Sequence, residues 1–366
     1  MKNIFGNSIT VTLFGESHGD FIGAVLDGLA PGIKIDRDYI KAKLDLRRPT
    51  GKISTARVEA DEYIIASGEY AGYTTGTPLT ILIPNANKKS SDYKNLLETP
   101  RPGHSDYTAE CKYHGFQDSR GGGHFSGRIT AAIVAVGAIL ASALESHGIY
   151  IGTHISKLHG ISDRGFEDYN TDIKILAKEQ FPVLSKEAKS AMAKEILEAA
   201  KLGDSVGGVL ESAVIGLPAG VGEPWFDTLE GMLAHALFSV PAIKGVEFGL
   251  GFGFAECFGS EANDAFRIED GKVITATNNN GGINGGISNG MPVIFRSVIK
   301  PTPSIFKEQQ TVNLREMKNT TIQISGRHDP AIIHRARAVV DAMTAITIAD
   351  ALTGRFGTDF LSAKVD

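Results

Sequence analysis

The sequence predicts a mixed α/β fold of the α+β type, in which long buried helices are flanked by antiparallel strands. Three observations predict it. Short β-rich segments bounded by Gly or Pro fill the N-terminal region. Two long helical segments lie further along the chain, and the first is apolar on every side. Three short landmarks also occur twice in the same order, which indicates a duplicated unit around a pseudo-twofold axis.

The predicted N-terminal strands are the runs SITVTLF, DFIGAVLDG, EYIIASG and PLTILIP. Residues 129–148 are Ala-rich and almost wholly apolar, which predicts a helix buried within the protein. The amphipathic pattern of residues 186–201 predicts a surface helix that ends at Gly203. The segment FDTLEGMLAHALFSV predicts another helix, with Asp227 as its N-cap. A last long helix, in AIIHRARAVVDAMTAITIADALTGRFG, is predicted to end at Gly354.

The suspected duplication rests on three pairs of short matches. Gly19-Asp20-x-Ile22-Gly23 parallels Gly203-Asp204-x-Val206-Gly207, Gly76-Thr77-Pro78 parallels Gly290-Met291-Pro292, and Ser126-Gly127-Arg128 parallels Ser325-Gly326-Arg327. We therefore expect one large domain over residues 1–366, with a possible internal repeat of about 1–150 and 200–366. The ligand site is expected where the two halves meet.

The composition is that of a globular protein without metal or disulfide support. Of the 366 residues, 42% are hydrophobic and 22% charged, so the chain can bury a large core. Cys111 and Cys257 form no CxxC pair, which predicts no metal site and fits a reducing, cytoplasmic compartment. A net charge of −5 predicts no nucleic-acid partner. We find no signal-peptide pattern and expect no stretch with the roughly 20 apolar residues of a membrane span.

The turn Gly15-Glu16-Ser17-His18-Gly19 directly follows a predicted strand. It matches the GxSxG pattern of serine hydrolases, with Ser17 as the nucleophile. That interpretation needs several strands before the turn and a helix after it, whereas a strand is predicted next. A tight polar turn with a solvated His18 is the simpler structural alternative.

Three further segments combine cations with histidine or glycine. Leu46-Arg47-Arg48-Pro49 can bind phosphate or carboxylate, although a solvated basic surface has the same composition. In Arg101-Pro102-Gly103-His104 the histidine is a candidate general acid or base, or a structural residue. The glycine-rich run from Arg120 to Arg128 leads into the buried helix, and backbone N–H groups at a helix N-terminus favour an anion site.

The last constellation combines Asn284-Gly285-Gly286, the Pro-stiffened loop from Lys300 to Ser304, and Gly326-Arg327-His328-Asp329-Pro330. Arg327 is predicted to begin the second long helix. Asp329 is a candidate proton acceptor or orienting group for a base. An Asp before Pro at the start of a helix is equally typical of a helix cap.

Taken together, GESHGD, RGGGHFSGRIT and GRHDPAIIHRA resemble the three signature segments of the chorismate synthase family. RPGHSDYT, KGVEFG, GGINGGISNG and KPTPSI lie between them in the family's order, so the resemblance covers essentially the whole chain. It implies a β–α–β sandwich with central helices between antiparallel sheets, assembled as a homotetramer.

The resemblance also implies a lyase that carries out the last step of the shikimate pathway, toward the aromatic amino acids. Its reaction is the 1,4-anti elimination of phosphate from 5-enolpyruvylshikimate-3-phosphate, which gives chorismate. Reduced FMN is required without net redox change. NADPH or a separate flavin reductase would supply the reduced cofactor, and no metal is expected.

Residue by residue, the resemblance implies a set of roles. His18 corresponds to a proton donor near the leaving phosphate, His104 to a residue that protonates the reduced flavin, and Asp329 to one that helps flavin N5 act as a base. Ser17 and Ser126 correspond to serines near the substrate and flavin. The substrate anions would be held by Arg47, Arg101, Arg128 and Arg327, with Arg47 also an expected NADP contact. FMN contacts would come from His124, Phe125, Ser126, Gly285, Lys300, Pro301, Thr302, Pro303, Ser304 and Arg327.

The chain departs from the commoner family pattern at His124 and Phe125, where many members have Arg and Ser. This leaves the individual roles of these two residues open. Pro241 also replaces a commoner Asn, which removes a possible hydrogen bond to the flavin. The alternatives to a lyase are a hydrolase that uses Ser17 and a non-catalytic module that binds flavin or another anion.

Overall fold

The computed structural model describes residues 2–49, 51–54, 61–85, 98–324, 326 and 328–362. Over these residues the chain forms eight α-helices and eighteen strands. The helices are α1 (Arg37–Arg47), α2 (Asp106–Tyr113), α3 (Thr130–Ser146), α4 (Tyr169–Leu176), α5 (Lys186–Lys201), α6 (Leu229–Phe238), α7 (Gly259–Ala262) and α8 (Ile333–Phe356). The strands are β1 (Ile4–Phe5), β2 (Thr10–Gly15), β3 (Phe21–Asp27), β4 (Ile64–Ser67), β5 (Glu69–Tyr70), β6 (Tyr73–Thr74), β7 (Leu79–Pro84), β8 (Tyr150–Leu158), β9 (Ile161–Ser162), β10 (Gly208–Ile215), β11 (Ile243–Phe248), β12 (Phe266–Glu269), β13 (Lys272–Thr275), β14 (Ile283–Asn284), β15 (Ile287–Ser288), β16 (Val293–Ile299), β17 (Gln309–Asn313) and β18 (Lys318–Ile322).

The first sheet has five antiparallel strands in the order β1-β2-β3-β7-β4. Its buried face follows the two-residue period of a strand, since Leu79, Ile81 and Ile83 of β7 are buried and the residues between them are less so. Ile22 and Leu26 of β3 lie opposite Ile83 and Leu79 and extend this face. The four predicted N-terminal strands correspond to β2, β3, β4 and β7, and are confirmed.

The second sheet also has five antiparallel strands, in the order β11-β16-β10-β8-β9. Its helices and strands follow one another along the chain in the same order as those around the first sheet. The succession β2, β3, α1, β4, β7, α3 corresponds to β8, β10, α6, β11, β16, α8, and equivalent strands occupy equivalent places. Gly76-Thr77-Pro78 leads into β7 as Gly290-Met291-Pro292 leads into β16. The topology therefore supports the pseudo-twofold duplication, with β8 as the counterpart of β2. The domain boundaries themselves stay a prediction.

Helices α3 and α8 pack against each other between the two sheets. α3 also contacts β3 and β7, whereas α8 contacts β8 and β10. Gly137 allows the two helices to approach closely, because a Cβ at this position would lie 2.5 Å from the Cβ of Ala342. α1 and α6 also pack on α8 and complete the middle layer. The architecture is the β–α–β sandwich that the sequence predicts.

Three predicted helix boundaries are wrong. α6 follows Thr228, whose hydroxyl accepts a hydrogen bond from the Gly231 N–H, whereas Asp227 ends a preceding short 3-10 turn. α8 begins only at Ile333, and residues 328–332 before it are not helical, so the helix starts later than the sequence predicts. α8 also continues through Gly354 and ends at Phe356, before Gly357 with φ of +92°. A cap and a helix end depend on which hydroxyl or glycine the surrounding packing places there, and the local pattern does not specify that.

Residues Gly127–Ser146 form a helix that is long and apolar enough to cross a membrane by length and composition alone. This corrects the expectation that no stretch reaches that length. Of its apolar window, 78% is buried inside the protein. Such burial is what a core helix between two sheets shows.

Candidate active site

The turn of Ser17 and His18 follows β2 and lies against the glycine-rich loop. Both side chains are buried, so the solvated alternative for His18 is wrong. Ser17 Oγ lies 3.2 Å from His18 Nδ1 and 3.0 Å from the carbonyl oxygen of Arg120. The Ser17 N–H donates to the carbonyl of Gly123 at 3.1 Å. Strand β3 follows this turn in place of the helix that a nucleophile elbow requires, which disfavours a serine hydrolase.

The glycine-rich loop lies against His18 and beside His104. Gly121, Gly122 and Gly123 have φ of +61°, +85° and +54°, in the region that favours glycine. A Cβ at Gly121 would lie 2.2 Å from His18 Cε1, and a Cβ at Gly122 would lie 3.7 Å from His104 Cε1. The loop therefore brings together two histidines that are far apart in the sequence, and no side chain larger than hydrogen fits between Gly121 and His18.

The three residues after these glycines have different surroundings. His124 Nδ1 donates to the carbonyl of Gly15 at 2.7 Å, so this side chain is engaged with the backbone of β2. Phe125 is 38% exposed and packs edge-on against Tyr113, with ring centroids 6.1 Å apart. Ser126 lies beside Gly122, as His104 does, since a Cβ at Gly122 would lie 3.8 Å from the Ser126 Cβ. Ser126 and His104 therefore lie near the same glycine of the loop.

Asp106 joins Arg101 to His104. Its carboxylate accepts hydrogen bonds from Arg101 Nε at 2.7 Å and Arg101 Nη2 at 2.8 Å, and lies 2.6 Å from His104 Nδ1. Burial alone raises the pKa of Asp106, but the hydrogen bonds from Arg101 and His104 outweigh burial and hold the pKa well below its usual range. The cluster therefore contains a carboxylate that stays ionised at neutral pH.

The loop that follows β16 lies over the Arg101 turn. Lys300 Nζ donates to the carbonyl of Gly103, and Arg101 Nη1 donates to Ser304 Oγ at 3.2 Å. Burial and the nearby Lys244 ammonium lower the pKa of Lys300. The turn from Arg101 to His104 and the loop from Lys300 to Ser304, which the sequence suggests as two separate site segments, are therefore in direct contact.

The middle of this loop is held from both sides. Pro301 lies against Gly207, the carbonyl of Thr302 accepts a hydrogen bond from Ser205 Oγ at 2.8 Å, and Pro303 lies beside Gly103. Among the described residues, Thr302 Oγ1 is buried without a hydrogen-bond partner. A buried hydroxyl of this kind is available to a ligand at no loss of an existing contact.

Arg47 and Arg128 share the carboxylate of Asp61. Arg47 Nη2 donates to Asp61 Oδ2 at 2.8 Å, and Arg128 Nη1 donates to Oδ1. No side chain of the three is more than 8% exposed, so the solvated basic surface considered for Arg47 is wrong. Burial lowers the pKa of the Arg47 guanidinium, and the Asp61 carboxylate opposes this effect. The pair of arginines is therefore buried and neutralised in part by one acidic residue.

Asn85 connects Arg128 to the His18 turn. Its Nδ2 donates to the carbonyl oxygens of Glu16 at 2.9 Å and Gly19 at 3.0 Å, on the two sides of His18. Its Oδ1 accepts from Arg128 Nε at 3.0 Å. One amide at the end of β7 thus fixes both the histidine turn and a predicted substrate-binding arginine.

Asp329 is linked to the Arg47 region by Arg335. Arg335 Nη1 donates to Asp329 Oδ2 at 2.5 Å, and Arg335 Nε donates to the carbonyl of Arg47 at 2.8 Å. The residue before α8 is Ile332, so Asp329 is not the cap of this helix. Arg327 lies outside the described residues.

His334, at the start of α8, is buried beside this group. Its Nε2 lies 2.7 Å from Ser54 Oγ. Burial, with a smaller contribution from the Arg335 guanidinium, lowers the pKa of His334 to about 3. This imidazole is therefore neutral at physiological pH.

Gly285 is a predicted FMN contact that the structure does not bring to this cluster. It is exposed in the turn between β14 and β15, with φ of +62°. That hairpin packs where β16 begins, since a Cβ at Gly282 would lie 2.5 Å from the carbonyl oxygen of Pro292. Lys300 follows the other end of β16, and a strand of that length spans about 20 Å. Within one chain, Gly285 and Lys300 therefore lie at opposite ends of the strand.

Sequence reasoning assigned no role to four residues that organise the cluster, namely Asp61, Asn85, Asp106 and Arg335. Asp106 and Arg335 lie inside the quoted motifs, and Asn85 directly follows a predicted strand. The sequence around each of these three residues could therefore have indicated a place near the site. Asp61 had no such local signal, because its partners Arg47 and Arg128 are distant in the sequence.

The cluster combines several cations with two histidines that can transfer protons. A chain with a net charge of −5 concentrates Arg47, Arg101, Arg128, Arg335 and Lys300 around one region. Guanidinium groups bind phosphate and carboxylate in bidentate fashion. The arrangement suits acid–base chemistry on a small ligand with several negative charges.

Comparison with known proteins agrees with this chemistry. The chain matches the family model described as chorismate synthase over residues 9–353. A chorismate synthase of Pyrococcus abyssi is 47% identical over 350 residues, which are 96% of this chain and 97% of the relative. One of Dehalococcoides mccartyi is 46% identical over 353 residues, 96% of each protein. A crystal structure of chorismate synthase matches with a TM-score of 0.77 and 28% identity, over 97% of this chain and 94% of the other.

The resemblance predicted from the signature segments is confirmed by these matches. They also run through the segments between the signatures, where the helices and strands of both halves lie. Since the similarity extends over nearly the whole length of both partners, this chain belongs to the chorismate synthase family, the lyases that carry out the last step of the shikimate pathway.

Proposed function

We propose that this chain converts 5-enolpyruvylshikimate-3-phosphate to chorismate and phosphate by a 1,4-anti elimination that requires reduced FMN. The C3–O bond breaks and its electron pair leaves with phosphate, while a proton leaves C6 and the C6–H electrons enter the new diene. The observation that carries the proposal is that one glycine loop lies against His18 and beside His104.

The arginines support the binding of this substrate, which carries one phosphate and two carboxylates. Arg47 and Arg128 are buried side by side, and Arg101 lies in the neighbouring His104 turn. Guanidinium pairs of this kind hold such anions with defined orientation. Arg327 is proposed to join them on the strength of its motif alone.

Two histidines and one aspartate are proposed to handle protons. His18 would donate a proton to the leaving phosphate, with Ser17 Oγ 3.2 Å from its Nδ1 to hold the ring in place. His104 would exchange a proton with the cofactor. Asp329, paired with Arg335, would orient the group that accepts the C6 proton. Since both histidines lie at one loop, a substrate and a cofactor bound next to each other at this loop could reach both of them.

The residues around the loop fit reduced FMN. The glycine backbone presents no side chains, Thr302 Oγ1 is a buried hydroxyl without a partner among the described residues, and the Lys300 ammonium lies close by. When bound, reduced FMN supplies electron density to the cationic centre that develops as phosphate leaves, and a basic N5 for the C6 proton. The proposed contacts are Phe125, Ser126, Lys300, Pro301, Thr302, Pro303 and Ser304. His124 is already bound to the Gly15 carbonyl, and Gly285 lies elsewhere in the protomer.

We further propose that the chain works in the cytoplasm as a homotetramer, as the resemblance implies. Reduced FMN would come from a separate flavin reductase or from NADPH, with Arg47 as the expected NADP contact. Sedimentation equilibrium should give a mass about four times the 39.0 kDa of the chain. A monomer at assay concentration would contradict the tetramer.

An anaerobic assay with photoreduced FMN tests the reaction. We expect chorismate and phosphate in equal amounts with reduced FMN, and neither product with oxidised FMN. Adding NADPH in place of photoreduction separates an enzyme that reduces its own flavin from one that needs a reductase. Binding of FMN and substrate without product would overturn the proposal in favour of a binding module.

His18→Ala and His104→Ala are expected to lower turnover at least about tenfold while FMN still binds, because each removes acid–base assistance. His159→Ala is the matched control, since the His159 side chain is exposed and pairs with Glu195, which is not a proposed site residue. Turnover of either site variant at the rate of the control would remove that histidine from the mechanism.

A further inference from the structure

The Asp106 carboxylate is the centre of a closed set of hydrogen bonds. It accepts from the Arg101 backbone N–H at 3.0 Å, from Arg101 Nε at 2.7 Å and from Arg101 Nη2 at 2.8 Å. His104 Nδ1 lies 2.6 Å from the same carboxylate. All three side chains are largely buried, with exposed fractions of 9% for Arg101, 15% for Asp106 and 19% for His104. This geometry restricts where the histidine proton can be.

Donor and acceptor chemistry assigns the proton on His104. A carboxylate only accepts and a guanidinium only donates, so Nδ1 must carry the hydrogen that points to Asp106. The other ring nitrogen, Nε2, is then an acceptor. Arg101 Nη2 lies 3.0 Å from Nδ1 and 3.2 Å from Nε2, and because Nδ1 carries its own hydrogen toward Asp106, Nη2 can donate only to Nε2. Arg101 Nη2 has two hydrogens, one for Asp106 Oδ1 and one for His104 Nε2. No atom in this assignment is required to donate and accept at once.

In this tautomer the unprotonated nitrogen of His104, Nε2, faces the glycine loop of the candidate active site. A Cβ at Gly122 would lie 3.9 Å from His104 Nε2, so this nitrogen faces the glycine loop and Nδ1 faces Asp106. Asp106 is the first residue of α2, where the positive end of the helix dipole favours a carboxylate. The acidic partner is thus itself held in place and kept ionised.

Resting on the function proposed above, we infer that Asp106 is a positioning residue for the reaction. It holds His104 as the Nδ1–H tautomer, so that Nε2 is the nitrogen that exchanges a proton in the site. It also fixes Arg101, whose Nη1 donates to Ser304 Oγ in the loop after β16. When Nε2 takes up a proton, it gives up the hydrogen bond from Arg101 Nη2, and the resulting imidazolium is stabilised by the adjacent Asp106 carboxylate.

The charged and titratable groups around His104 are few. Arg101 and Asp106 face it from its own turn and from α2, Lys300 reaches the same turn through the Gly103 carbonyl, and His18 lies at the neighbouring glycine of the loop. Asp106 is the one carboxylate among these contacts in the described part of the chain. Its removal should therefore disfavour the protonated ring.

Asp106→Asn tests the inference, with Asp172→Asn as the matched control. Asp172 also lies in the first turn of a helix, accepts Arg164 through both terminal nitrogens at 2.6 and 2.9 Å, and accepts a backbone N–H from Glu167. It is remote in sequence and packs with α4 and β8, outside the cluster. The two variants should lose similar stability, whereas Asp106→Asn alone should lower kcat at least about tenfold. The alkaline limb of its pH profile should also move to lower pH.

A second measurement does not depend on turnover. In ligand-free protein with ring-13C-labelled histidine, the Cδ2 shift of His104, assigned by comparison with His104→Gln, should report the Nδ1–H tautomer. In Asp106→Asn it should move toward the other tautomer. A His104 signal that reports Nε2–H in the wild type would overturn the inference even if the enzyme is active. An inactive wild type with the expected tautomer would instead count against the proposed function.

Equal kcat and an unshifted pH profile for Asp106→Asn and Asp172→Asn would also overturn the inference. If Asp106→Asn does not fold, the wild-type tautomer measurement still decides it.

Discussion

The backbone of Gly121 touches the imidazole of His18, and a Cβ at Gly121 would lie 2.2 Å from Cε1 and 2.4 Å from Nδ1. Gly121→Ala should therefore displace the ring and lower turnover at least about tenfold. Because the φ of Gly121 is +61°, the substitution should also cost about 1–2 kcal/mol of stability. Anaerobic turnover and thermal unfolding measure the two effects.

Gly148→Ala is the control for the backbone effect, since Gly148 has φ of +77° and nothing within 4 Å of its Cβ position. It should lose similar stability and keep its activity. Full activity in Gly121→Ala would show that the His18 ring does not need this contact.

Asn85→Ala should lower kcat and raise the KM for the substrate. It removes two hydrogen bonds to the backbone around His18 and one from Arg128, and each lost bond costs about 1 kcal/mol. Asn85→Asp keeps an acceptor for Arg128 but loses both donors, so its kcat should fall while its KM changes less. Steady-state kinetics separate the two parameters.

Asn278→Ala serves as the comparison, because Asn278 Nδ2 donates to the Pro292 carbonyl at 2.8 Å outside the cluster. A kcat for Asn85→Ala equal to that of Asn278→Ala would contradict a positioning role for Asn85.

His334 should make the protein less stable as the pH falls. Its folded pKa of about 3 lies below the unfolded value, so between roughly pH 6.5 and 3 the unfolded chain binds a proton that the folded chain does not. The free energy of unfolding should decrease by about 1.4 kcal/mol per pH unit from this residue. His334→Gln should lose less stability than the wild type between pH 7 and pH 5 in urea titrations. Parallel losses would show that His334 is protonated in the folded state.

His154 should stabilise the folded protein more at acidic pH than at alkaline pH, which is the opposite of His334. Its ring nitrogens lie 3.1 Å from Asp163 and 3.0 Å from Glu211, and although burial lowers its pKa, these two carboxylates raise it above the usual value. The stabilisation is fully present below about pH 6.5 and is lost as the pH rises through the folded pKa. His154→Gln should therefore be least stable relative to the wild type at acidic pH. A difference that does not change with pH, measured in the same titrations, would rule out this charge.

Much of the fold could be predicted because its signals are local. Strands β2, β3, β4 and β7 follow from short β-rich runs bounded by Gly or Pro. Helix α3 follows from a long run that is apolar on all sides, and α5 from its amphipathic pattern. The Thr228 cap of α6 and the continuation of α8 through Gly354 could not be predicted in this way. Each depends on packing against other parts of the chain, which overrides the preference of a single residue.

For the site, the sequence alone determined which segments carry the chemistry, because each signature is a contiguous run with its own histidine, glycine or arginine. Only the tertiary structure decided how these groups are paired. Asp61 joins Arg47 to Arg128, Asn85 holds the turn of His18, and Gly285 lies at the far end of β16 from Lys300. Hydrogen bonds and ion pairs act over about 3 Å in space, and residues far apart in the sequence come that close only when the two sheets and their central helices have packed.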